Sequence, residues 1–181
     1  MMRSTTPRRF LTIFLCSVFI SIVLCSGCTE KKITYVEDFA FADLTGQTRH
    51  LSEFYGKILI LDLMGVNCQP CTFEMMQLKK VSENYSSDQV AILSIDVWVK
   101  NGETAALLRQ YITAFHEQAG IDLNWTFGLD DVNGSIQNVY ASEGVPTLYL
   151  FDKKGNIYYS HVGYEDYLNL ATKIDEVLRK G

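Results

Sequence analysis

The sequence predicts an α/β fold in which a central mixed sheet is layered between helices. Three observations carry this expectation. Two continuous apolar runs, Lys57 to Met64 (KILILDLM) and Val90 to Val97 (VAILSIDV), read as strands covered on both faces. Between them Phe73, Met75, Met76, Leu78, Val81 and Tyr85 recur at helical spacing, with Lys79, Lys80 and Glu83 toward water, which makes a β-α-β unit with parallel strands. Later the pattern changes: strands Thr147 to Phe151 and Ile157 to Val162 flank Asp152-Lys153-Lys154-Gly155-Asn156, a short Gly-containing turn that makes an antiparallel hairpin.

The other elements follow in order. Phe39 to Leu51, around Thr45-Gly46, reads as an N-terminal β-hairpin extension. Glu103 to Phe115 reads as a second helix and Val132 to Tyr140 as a shorter third. Tyr167, Leu170, Ala171, Ile174, Val177 and Leu178 form the apolar stripe of a last helix. The order β-α-β, helix, β-β-α is that of a thioredoxin-like three-layer α/β/α fold. The chain has 181 residues, enough for one such domain with its own core, expected over residues 34–181.

Residues 1–33 are of another kind. Arg8 and Arg9 precede Phe10 to Gly27, eighteen residues without a charge, and Cys28 follows. A basic stretch ahead of an apolar one is what a secretory signal needs, and the arginines stay on the cytoplasmic side. The segment 1–33 is therefore expected to be a signal peptide or membrane anchor with a short linker, and the domain to be extracytoplasmic. Cys25-Ser26-Gly27-Cys28 resembles a lipobox, with Leu24 one place early, which implies lipidation at Cys28. An uncleaved signal anchor is the alternative, since eighteen apolar residues are near the minimum for a span. Either way the domain is tethered to a membrane. Of the net charge of −5, residues 1–27 contribute +3 through three arginines, which leaves −8 on the rest. So acidic a domain repels phosphate backbones, and nucleic acid is not an expected partner.

Five cysteines are present, and only Cys68 and Cys71 lie outside the first 28 residues. That leaves no cysteine for a separate structural bridge in the domain. Cys68-Gln69-Pro70-Cys71 follows the first core strand and opens the first helix. Unpaired N–H groups and partial positive charge at a helix start favour a thiolate, so Cys68 is the expected nucleophile. Pro70 suits a first turn, where its missing N–H costs nothing. The pair is not expected to bind metal: no second CxxC exists, and His50, His116 and His161 show no ligand spacing. Asp62, six residues before Cys68 within the apolar strand, is expected to be desolvated and to exchange protons with Cys71, unless it points to solvent at a strand end. Glu74, one turn after Cys71, either tunes the cysteines or merely favours the helix start. Gly144-Val145-Pro146-Thr147 leads into an apolar strand, where proline fits an edge or a cis bond.

These residues resemble the TlpA/ResA-like branch of thioredoxins. The resemblance rests on the run from Phe39 to Glu74, which contains the CxxC pair, and on GVPTLYLFDKKGNIYYSHVG from Gly144 to Gly163. It implies a redox-active disulfide between Cys68 and Cys71. It also implies a cis-proline at Pro146 facing them, with Val145 binding the substrate backbone. Asp62 would match the buried acid of thioredoxin, and Glu74 an acid near the active site of ResA-like proteins. The implied activity is thiol–disulfide oxidoreduction outside the cytoplasm: reduction of protein disulfides, often on apocytochrome c, with electrons from a membrane thiol carrier. No cofactor beyond the dithiol is expected. The sequence departs from the family at Asn67, where Trp usually precedes the first cysteine, and at Leu63-Met64, where Phe-Trp is usual. Two other activities fit the same fold. A thiol peroxidase would usually lack the CxxC partner. A copper-binding assembly factor would have a CxxxC pair and a distant histidine, for which His161 is the candidate.

Overall fold

The computed structural model describes residues 36–180. The expected signal segment and Cys28 lie outside the described residues. Along the chain run β1 (Ala40–Asp43), β2 (Thr48–His50), β3 (Ile58–Met64), α1 (Gln69–Asn84), β4 (Val90–Asp96), α2 (Ala105–Ala119), β5 (Thr126–Leu129), α3 (Ser135–Tyr140), β6 (Thr147–Phe151), β7 (Ile157–Val162) and α4 (Tyr167–Lys180). Short 3-10 turns cover Leu51–Phe54 and Val99–Asn101.

The strands form one mixed sheet in the order β2-β1-β5-β4-β3-β6-β7. The pairs β3–β4 and β4–β5 are parallel; β1–β2, β1–β5, β3–β6 and β6–β7 are antiparallel. Side chains alternate across a strand, so β3 feeds two cores at once. Ile58, Ile60 and Met64 pack with Cys71, Met75, Leu78 and Val81 of α1, Leu108 of α2 and Leu170, Ile174 and Val177 of α4. Leu59, Leu61 and Leu63 pack on the other face with Ile136 and Tyr140 of α3 and with Phe41, Leu51 and Phe54. Every residue of β3 is buried, as its unbroken apolar run predicts.

The structure adds one strand to those expected, shifts one helix and trims another. β5 is only four residues long and holds Gly128, which hides it from a reading based on strand composition. That glycine is required by packing: a Cβ there would meet Phe41 Cδ2 at 2.3 Å and Ile95 Cδ1 at 2.8 Å. Helix α2 begins two residues later than expected and runs on to Ala119. Thr104 is its N-cap, and its Oγ1 accepts from the Leu107 N–H at 3.3 Å. Glu103 is thereby left outside the helix. Helix α3 starts at Ser135 because Asp131 holds the preceding turn, accepting from the N–H groups of Asn133 and Ser135 at 2.8 and 3.2 Å.

Candidate active site

The site forms where β3 ends. Gly65, Val66 and Asn67 carry the chain from Met64 to Cys68, which is the N-cap of α1, and Pro70 sits in the first turn. The sulfurs of Cys68 and Cys71 are joined, with Cα atoms 5.2 Å apart. The Cys71 N–H, one of the donors a helix start leaves unpaired, donates to Cys68 Sγ at 3.2 Å. Cys68 is 5 % exposed and Cys71 is fully buried, so Cys68 is the sulfur that a partner reaches.

The Val145 loop completes the site through the sheet. Leu63 pairs with Thr147 in the β3–β6 ladder, which lays the start of β6 beside the end of β3. The Val145–Pro146 bond is cis. The Val145 carbonyl oxygen lies 3.8 Å from Cys68 Sγ. Two bonds hold the loop: Thr147 Oγ1 donates to the Gly144 carbonyl at 2.7 Å, and the Gly163 N–H donates to the Pro146 carbonyl at 2.8 Å.

Asp62 and Glu74 are both buried, and the charge of Asp62 acts on Glu74. Asp62 shares the face of β3 that looks onto α1, and it is fully buried rather than at a solvent-facing strand end. Burial pushes its carboxyl well above the usual range, against a smaller opposite pull from the Ser94 hydroxyl across the β3–β4 ladder. Glu74 is also fully buried. Burial raises its carboxyl most, and the charges of Asp62 and Glu165 raise it further. None of the four carboxyl oxygens of Asp62 and Glu74 has a well-formed hydrogen bond. Burial raises both carboxyls, and Glu74 the further, so Glu74 holds its proton more firmly than Asp62 does.

The AhpC/TSA family matches residues 34–160. The chain belongs to this family. Among curated AhpC/TSA-like relatives, the thiol-disulfide oxidoreductase ResA of Geobacillus thermodenitrificans is 29 % identical over 133 residues, 71 % of this chain and 70 % of the relative. Two solved structures show the same fold. The thiol-disulfide isomerase of Corynebacterium glutamicum superposes with a TM-score of 0.67 at 19 % identity, over 80 % of this chain and 95 % of the other. The pneumococcal exposed lipoprotein thioredoxin of Streptococcus pneumoniae does so with a TM-score of 0.61 at 22 % identity, over 77 % and 99 %. The fold is thioredoxin-like, and the resemblance to the TlpA/ResA-like thioredoxins holds. This AhpC/TSA-family chain is a thiol–disulfide oxidoreductase.

Two buried acids of the site escape a reading by motif. Glu165 precedes α4 and is 4 % exposed; it accepts from the Tyr159 hydroxyl and from Asn169 Nδ2. Glu103 is 5 % exposed and accepts from the residues just before Cys68. A helix read from Glu103 onward hides that contact; Thr104, a good N-cap residue, is the signal that the helix starts after it. In this family member Trp98 lies against Gly65, where a Cβ would meet the indole at 2.5 Å. His161 lies on β7 opposite Leu148. Among the described residues no group of three or more His, Cys, Asp and Glu is arranged to hold a metal.

Proposed function

We propose that this chain is an extracytoplasmic reductase of protein disulfides, tethered by residues 1–33 and working through a domain at 34–181. The observation that carries the reading is the placement of the pair. Cys68 caps α1 and keeps a slight exposure, and Cys71 is fully buried on the same helix as Glu74, whose proton affinity, like that of Asp62, is raised by burial. The Cys68 thiolate attacks a partner disulfide. The partner's S–S bond breaks, a mixed disulfide forms, and the departing sulfur takes a proton. Cys71 gives its proton to the carboxylate form of Asp62 or Glu74 and attacks Cys68 Sγ. The second partner sulfur leaves, is protonated in turn, and Cys68–Cys71 remains as the disulfide. Two electrons have passed to the partner. Val145 and Pro146 receive the partner's backbone beside Cys68.

Electrostatics supports this direction. A strong oxidant of this fold owes its potential to a stabilised reduced form. Two acids lie buried in the same domain core as the pair, and once Asp62 has lost its proton its carboxylate disfavours a neighbouring thiolate. The reduced form gains little, and the couple stays reducing. The tether is supported by Arg8, Arg9 and the apolar run that follows them, with Cys28 as the residue proposed for lipidation. Apocytochrome c is the substrate that the ResA-like relationship suggests, with a membrane thiol carrier as electron donor.

The test is the reduction potential of the Cys68–Cys71 couple in the detergent-solubilised chain. A potential at or below about −270 mV, thioredoxin's, is expected. A potential near about −120 mV, that of DsbA, would reverse the direction. Peroxide consumption without disulfide reduction would move the chain to peroxidase chemistry, and stoichiometric copper uptake by the reduced pair to copper assembly.

A further inference from the structure

Three N–H groups converge on one buried carboxylate directly ahead of the nucleophile. The Val66 N–H donates to Glu103 Oε2 at 2.6 Å. The Asn67 N–H and Asn67 Nδ2 donate to Glu103 Oε1 at 2.9 and 2.6 Å. Both oxygens accept, as an ionised carboxylate does, and the three bonds account for most of its capacity. The turn they grip is closed by a longer bond, from the Cys68 N–H to the Gly65 carbonyl at 3.3 Å. Glu103 is fixed in turn by its own N–H, which donates to the Trp98 carbonyl at 3.2 Å.

We propose that Glu103 is a positioning residue for Cys68, which holds the turn presenting the sulfur and limits the acidity of its thiol. The proposal rests on Cys68 being the nucleophile of the proposed function. Asn67 gains a purpose here: its amide reaches back to Glu103, which an indole at that place, lacking the second donor geometry, would not do. The charged and titratable groups that interact with Glu103 are Asp96 at the end of β4, on which Asp130 after β5 also acts, and Tyr111 of α2. Burial raises the proton affinity of Asp96, the Trp98 N–H opposes that, and the Glu103 and Asp130 charges add to it. The negative charge nearest Cys68 on this side is thus Glu103's, and a negative charge there disfavours the thiolate.

The experiment uses the full chain in detergent. Alkylation of Cys68 by iodoacetamide is followed against pH by mass spectrometry of its peptide, alongside the equilibrium with glutathione. Glu103→Gln removes the charge and points an amide N–H₂ at a donor. The alkylation midpoint is expected to fall by about half a pH unit or more, and the glutathione equilibrium to move at least about threefold toward the dithiol. Glu103→Asp keeps the charge and loses reach; exchange with a protein disulfide is expected to slow about fivefold with the midpoint in place. A Gln variant with the wild-type midpoint and equilibrium, even if it melts earlier, would make Glu103 a structural brace only and overturn the proposal. Should that variant not fold, wild-type exchange by Glu103→Asp overturns it equally. A wild-type chain with no reversible couple sinks both this inference and the proposed function; a normal couple with indifferent Glu103 variants sinks the inference alone.

Discussion

The charge of Asp62 on β3 raises the proton affinity of Glu74 on α1, and both carboxyls are closed to solvent. One belongs to a strand and the other to the helix that the CxxC pair opens. Their interaction therefore ties the ionisation of the site to the packing of α1 on the sheet.

Stability should depend on pH with a definite sign. Both carboxyls titrate higher when folded than when unfolded. Between the two pKa values the folded state binds more protons, so the stability these two groups contribute is fully present below their unfolded pKa and is lost as pH rises through the folded pKa. Asp62→Asn should flatten that fall and add about 1–4 kcal/mol at pH 9 relative to its effect at pH 5. Urea denaturation of the oxidised protein at the two pH values measures it. Equal effects at both would show that Asp62 is ionised in the folded state.

The two cysteines should fail in different ways. Cys68→Ser should abolish exchange with a protein disulfide. Cys71→Ser should accumulate mixed disulfides, visible on a non-reducing gel, because no thiol is left to resolve them. Turnover by Cys68→Ser at the wild-type rate is incompatible with the mechanism.

Removing the buried proton acceptor should slow the resolving step. Asp62→Asn is expected to lower the release rate of the mixed disulfide by about 10²-fold or more, the usual scale for a general base. The initial attack by Cys68 should change far less. Stopped-flow measurement of the two phases separates them, and equal slowing of both would place Asp62 outside the proton path.

A glycine ahead of the pair should resist substitution. A methyl at Gly65 overlaps the Trp98 indole at 2.5 Å. Gly65→Ala should destabilise by about 1–3 kcal/mol, the range for overpacking. Differential calorimetry reads the loss, and Trp98 fluorescence should shift as the ring is displaced.

The apolar side chains exposed next to the pair should matter to substrates and little to folding. Phe73 is 52 % exposed. Phe73→Ser should leave stability within about 0.5 kcal/mol, as for ordinary surface sites. KM for a protein disulfide should rise while a small disulfide reacts as before. A large loss of stability would place Phe73 in the core.

Helix α1 also shows where the sequence is legible and where it is not. Its spacing reveals a helix, and Met75, Leu78 and Val81 face the core as expected. In its first two turns the usual pattern is inverted: Phe73 and Met76 face solvent while Glu74 faces the core. No periodicity argument predicts that inversion, because the site rather than the core selects those residues. β3 and β4 are legible since both are covered on two faces and read as unbroken runs. β5 is not, since its Gly128 is dictated by Phe41 and Ile95, neighbours far away in sequence. The cysteines, Asp62, Glu74 and the Val145–Pro146 turn can be picked out by residue type and placement. Glu103 and Glu165 cannot, because their importance lies in which distant N–H and O–H groups point at them.

The β3–β6 ladder sets Leu63 opposite Thr147, and so brings the Cys68 turn to a loop nearly eighty residues later in the chain. A nascent chain carries Cys68 and Cys71 long before it carries Val145. Until β6 lies along β3, the Val145 carbonyl has no fixed place beside Cys68. The finished site is a joint between two distant stretches of chain, present only where that ladder is closed.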